Sequence, residues 1–120
     1  IFANATYIPD AMNDRYEHFW TDERLARVLD VMQRYDIALE INARYRIPSK
    51  RVIRQAKERG LKFTFGTNNV DADFGRLEYC VECIRDCGLT PQDMWFPTMS
   101  KRAQHPVVIY NDFSKIVMQY

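Results

Sequence analysis

The sequence predicts an α/β fold of three consecutive βα units, and three observations carry that expectation. Runs rich in apolar, β-branched and aromatic residues recur at 1–8, 37–42 and 61–65. A segment with apolar residues at helical spacing follows each of them. Each run also ends in small polar residues, at Asn4 to Thr6, Asn42 to Arg44 and Thr67 to Asp71. Polar residues at the carboxyl ends of strands are how βα units present side chains to a ligand. Such alternation implies parallel strands joined by right-handed crossovers. Three units make either a small open α/β sheet or part of a barrel. A complete eight-unit barrel takes about 250 residues, against 120 here.

Element by element, Ile1 to Ile8 reads as the first strand, broken by Pro9 and Asp10. A connecting loop follows, with Tyr16, Phe19 and Trp20 as aromatic anchors. Thr21 is placed to cap a helix whose first turn carries Asp22 and Glu23, acids that favour the positive helix end. Leu25, Val28, Leu29 and Met32 form its apolar stripe, with Arg24, Arg27 and Gln33 on the wet side. The second strand spans Ile37 to Asn42. Pro48 and Ser49 then open a short helix with Val52, Ile53 and Ala56 inward, and Gly60 ends it. The third strand runs from Leu61 to Phe65 and stops at Gly66. A helix pattern extends from Phe74 to Cys87 and closes at Gly88, and Thr90 with Pro91 starts a further short helix. Residues 98–120 form a tail in which Val107 to Tyr110 suits a strand and Asp112 a cap.

The chain opens on Ile1, inside a strand pattern, and is expected to be a fragment of a larger one. No charged region followed by an apolar one marks a signal peptide, and no apolar run is long enough for a membrane span. Formal net charge is +1 with no basic stripe, which gives nucleic-acid binding no electrostatic support. The three cysteines lie together at Cys80, Cys83 and Cys87. An odd, clustered set suits a reducing compartment, the cytoplasm, rather than a disulfide framework. These cysteines share a helical stripe with Leu77 and Ile84, so core packing is expected rather than metal binding. His18 and His105 stand apart in sequence and suggest no ligand set.

The strand-end residues Asn4, Thr6, Glu40, Asn42, Arg44, Thr67, Asn68, Asn69 and Asp71 are the candidate site. Neighbouring carboxyl ends converge in parallel folds, so amides, a hydroxyl and a guanidinium there suit an anionic or polyhydroxylated ligand. Arg44 and Arg46 have the fork geometry for phosphate or carboxylate. Asn, Asp and Thr also form turns and cap helices, which is the competing reading of each residue alone. Glu40 lies between Leu39 and Ile41 and needs a partner if buried. Arg76 reaches either the ligand rim or a surface ion pair.

Ala38-Leu39-Glu40-Ile41-Asn42, a basic loop with Pro48, Ala56 to Gly60 and Lys62-Phe63-Thr64-Phe65-Gly66-Thr67 follow one another in an order that resembles the C-terminal part of PHP-type (polymerase and histidinol phosphatase) domains. The likeness covers residues 1–97 and leaves the tail outside. It implies the C-terminal portion of a TIM-like (β/α)7 barrel, completed by a missing N-terminal half. It also implies metal-assisted hydrolysis of a small phosphorylated substrate, with Mn, Zn or Mg held mostly by ligands outside this chain. Substrate would then meet Asn4, Asn42, Arg44, Asn68, Asn69 and Arg76, and Glu40 is the one candidate metal ligand. The sequence departs from the family where Gly-Ser-Asp-x-His is common. Here Gly66-Thr67-Asn68-Asn69-Val70 puts a neutral amide in place of Asp and an apolar side chain in place of His. The His-Pro pair of the earlier strand is Asn4-Ala5. An amide is a weaker ligand for a hard cation and valine is none. The alternative is therefore a non-catalytic module that binds phosphate or a partner on a degenerate barrel.

Overall fold

A computed structural model describes residues 1–72 and 74–97. The tail segments expected at Val107 to Tyr110 and Asp112, and His105, lie outside the described residues. A 3-10 turn at Asp10–Arg15 leads into α1 (Tyr16–Phe19) and α2 (Asp22–Arg34). Then come β1 (Leu39–Asn42), α3 (Lys50–Glu58), β2 (Phe63–Gly66), α4 (Glu78–Cys87) and a 3-10 turn at Pro91–Asp93.

β1 and β2 pair in parallel, with Leu39 opposite Phe63 and Asn42 opposite Gly66. Single parallel bridges flank them, Phe2 to Leu39 on one side and Phe63 to Met94 on the other. Four chain segments therefore lie side by side in sequence order, all running the same way. Side chains alternate across the strands. Leu39, Ile41 and Phe63 join one buried cluster with Leu29 and Met32 of α2, Ile53 and Ala56 of α3, and Tyr79, Cys80 and Cys83 of α4. The three longer helices among the described residues thus cover one face. The alternate set on the other face is Glu40, Asn42, Thr64 and Gly66. Burying a side chain the size of Phe63 contributes about 2–3 kcal/mol, and Phe63 is fully buried.

Helix ends explain how the strands are aimed. Thr21 caps α2, its hydroxyl accepting from the Arg24 N–H at 3.4 Å. α2, α3 and α4 close with one device, in which a residue within two of the helix end turns left-handed: Asp36 at φ 52°, Gly60 at 76° and Gly88 at 62°. The next N–H then reaches back to the last turn, from Ile37 to the Met32 carbonyl, Leu61 to Ala56 and Leu89 to Ile84, at 2.9, 3.1 and 2.9 Å. This is the Schellman closure, and after α2 and α3 it turns the chain directly into the following strand.

Two elements differ from expectation. The first strand shrinks to a bridge at Phe2, because residues 3–6 form a turn with Asn4 at φ 52°. The fourth helix begins at Glu78 rather than Phe74. The preceding loop is closed by the Asn69 side chain, whose Oδ1 accepts from the Gly75 N–H at 2.9 Å while Gly75 sits at φ 76°.

Candidate functional site

The three loops at the carboxyl ends of Phe2, β1 and β2 share a backbone feature. Each holds a non-glycine residue at positive φ: Asn4 at 52°, Arg46 at 53° and Asn68 at 49°. Asparagine tolerates this region better than most residues, whereas arginine does so at a cost of about 1–2 kcal/mol. Such strain persists where surrounding contacts over-determine the loop, and it concentrates at functional sites.

Asn42 supplies the over-determining contacts at the middle loop. Its backbone N–H donates to the Ile47 carbonyl at 2.7 Å, and its carbonyl accepts from the Ile47 N–H at 3.2 Å. Its Oδ1 accepts from the Tyr45 N–H at 3.0 Å. Nδ2 donates to Asn4 Oδ1 at 2.7 Å and to Glu40 Oε1 at 3.2 Å. The side chain is buried, and all of these partners lie within the protein. Asn42 therefore ties the first strand end to the second and fixes the turn Ala43–Arg46 that follows β1. The Glu40 carboxylate lies over Gly66, where a β-carbon would meet its Cδ at 2.6 Å. The absent side chain of Gly66 makes room for the acid.

Beside this cluster is a cleft of about 640 Å3 lined by Arg44, Tyr45, Arg46, Thr67, Asp71 and Arg76, together with Asp10, Ala43, Glu78 and Tyr79. Arg44 pairs with Asp71 at 2.7 Å, joining the second loop to the third. Arg46 forms a fork on Glu82 of α4, at 3.1 and 2.8 Å, and its guanidinium lies 4.6 Å from the Tyr79 ring centre. Lys50 bridges Glu82 at 3.3 Å and Asp86 at 2.7 Å. Glu82 is held below the usual carboxylate range by its hydrogen bonds from Arg46 and Lys50, and Arg46 is pushed up by Glu82. Arg76 stands at the rim, 3.4 Å from Glu78.

The structure thus brings Asn4, Glu40 and Asn42 into one hydrogen-bonded group and puts Arg44, Arg76 and Thr67 on the adjacent cleft. Asn68 supplies the left-handed turn of the third loop, and Asn69 closes that loop onto Gly75. Thr6 is buried: the Tyr16 hydroxyl donates to its Oγ1 at 2.5 Å and accepts from the Ser49 N–H at 3.2 Å. Sequence reasoning did not find Asp10, Tyr45 or Tyr79 as cleft residues, nor Glu82 as the partner of Arg46. These contacts join residues far apart in the chain, so no local spacing announces them. The one local hint was the Arg44-Tyr45-Arg46 run.

Among the described residues, no group of three His, Cys, Asp or Glu side chains could hold a metal ion. Glu40 accepts from the neutral amide of Asn42, and Val70, at the expected histidine position, is exposed. These residues by themselves do not fit a metal cluster. The three cysteines are free and buried, and burial pushes Cys80 up to about 12 and Cys83 up to about 11, so both stay protonated at neutral pH. No helix among the described residues is long and apolar enough to cross a membrane. In comparisons with protein-family models, curated proteins and solved structures, nothing matches this chain.

Proposed function

We propose that this chain is the C-terminal portion of a PHP-like barrel and that it binds a small phosphorylated ligand across the carboxyl ends of its strands. One observation carries the reading. The loops after Phe2, β1 and β2 are locked together through Asn4, Asn42 and the Arg44–Asp71 pair, beside a cleft that presents Arg44, Arg46 and Arg76. Consecutive parallel segments with α2, α3 and α4 on one face support the barrel part of the proposal. Exposed ion pairs are worth about 0–1 kcal/mol, so a phosphate can replace a carboxylate on Arg44 or Arg76 at little cost. Asn4, Asn42, Asn68 and Asn69 hold the loops in register for that contact. The free thiols agree with a cytoplasmic location.

Metal-assisted phosphoester hydrolysis is the second reading, favoured by the placement of Glu40 over Gly66 at the strand end. Glu40 would then be one ligand to a divalent Mn, Zn or Mg ion, with the others contributed from outside the described residues. Phosphomonoester turnover and elemental analysis across added Mn²⁺, Zn²⁺ and Mg²⁺ separate the two. Phosphate binding without turnover or bound metal supports the binding module. Turnover that is lost in Glu40→Gln supports the hydrolase. Absence of phosphate binding and of turnover contradicts both.

A further inference from the structure

Among the described residues, the charges that line the cleft balance. Arg44, Arg46 and Arg76 face Asp10, Asp71 and Glu78. A phosphate therefore gains little from the summed field, and selectivity has to come from the organic part of the ligand. Pockets of this size draw most of their affinity from apolar and aromatic lining. Among the described residues, two aromatic side chains line the cleft. Tyr79 is buried, and Arg46 lies over its ring. Tyr45 is 38% exposed and packs against Tyr7, itself 45% exposed, with ring centres 4.9 Å apart and planes tilted by 57°. The turn that carries Tyr45 is fixed by Asn42 through both its backbone and its side chain, so the turn's backbone needs no ordering at binding. Arg44 and Arg46 flank it in the same turn.

We propose that the cleft selects phosphomonoesters of planar aromatic alcohols, with the phosphate on the arginines and the aromatic ring against Tyr45, which Tyr7 backs. The proposal rests on the phosphate-binding reading above and adds the class of ligand. Offset or edge contacts between rings give the preference, and any planar ring satisfies them.

Calorimetric titration of the whole chain with inorganic phosphate, glycerol 3-phosphate and phenyl phosphate is the test. Phenyl phosphate is expected to bind about tenfold more tightly than glycerol 3-phosphate. Tyr45→Ala should abolish that difference, and a cooperative unfolding transition like that of the wild type shows that the variant folds. Tyr45→Phe should keep the difference. Tyr7→Ala, at an exposed side chain, is the second variant and should weaken phenyl phosphate alone. Equal affinity for the two esters, or a preference that survives both alanine variants, overturns the aromatic selectivity and leaves the phosphate reading intact. Failure of all three ligands to bind overturns the phosphate reading itself, and the selectivity with it.

Discussion

The carboxylate of Glu40 occupies the space that a side chain on Gly66 would fill, with both oxygens 2.9 Å from where that β-carbon would sit. Gly66 does not have a left-handed backbone, so its requirement is one of room rather than conformation. Gly66→Ala should push the Glu40 carboxylate aside and break its hydrogen bond from Asn42. The expected loss is about 1 kcal/mol, the net worth of one such bond. In a Glu40→Ala background the same substitution should cost close to nothing. Chemical denaturation of the four variants of this double-mutant cycle measures the coupling.

Asn42 is the hub of the strand ends, and its removal should be felt more strongly. Asn42→Ala leaves the Tyr45 N–H and the Asn4 amide oxygen without their partner. A loss of about 2–4 kcal/mol is expected, read as a lowered denaturation midpoint at unchanged slope. Asn42→Asp keeps an acceptor for Tyr45 but sets a second carboxylate beside Glu40. That like-charge contact raises the folded-state pKa of the new acid. Its stability should therefore approach wild type below the ordinary carboxylate range and fall as pH rises through it.

Asp36 is the non-glycine member of the three Schellman closures. Gly60 and Gly88 adopt the left-handed turn without a steric penalty, whereas Asp36 bears one. Asp36→Gly should raise stability by about 0.5–1 kcal/mol. A thermal or denaturant midpoint that falls instead contradicts this account of the α2 exit.

The buried thiols give a pH dependence of definite sign. Cys80 is raised from 9.0 to about 12 and Cys83 from 9.0 to about 11 because burial disfavours the thiolate. The folded state therefore holds its protons where the unfolded state releases them. Their contribution is fully present below pH 9.0, the ordinary value, and is lost as pH climbs through the folded-state values. Stability measured upward from neutral pH should fall across that window. All three thiols should resist a thiol reagent in the native protein and react on denaturation.

Much of the scaffold could be read from local patterns. Thr21 with Asp22 and Glu23 marked the start of α2, Gly60 the end of α3, and Gly88 the end of α4, because caps and left-handed turns are written in adjacent residues. β1 and β2 stood out as apolar runs ending at polar residues. The first strand did not form as read, since the left-handed turn at Asn4 overrides the propensity of Ile1 to Ile8. The true start of α4 depended on Asn69 reaching Gly75, a contact that periodicity does not encode. In the candidate site, residue types at strand ends marked segments that the fold brings side by side. The partners did not follow from sequence, because Arg44 with Asp71, Arg46 with Glu82 and Asn42 with Asn4 each join distant segments.

The central claim is that a phosphate group meets this chain at the carboxyl ends of its strands. NMR titration of the isotope-labelled chain with inorganic phosphate tests it most directly. The account predicts saturable shifts at the backbone amides of Ala43–Arg46 and Thr67–Asp71 and at the side chains of Arg44 and Arg76, with the α2 amides unmoved. Shifts absent from these loops, or spread evenly over the surface arginines, would contradict it.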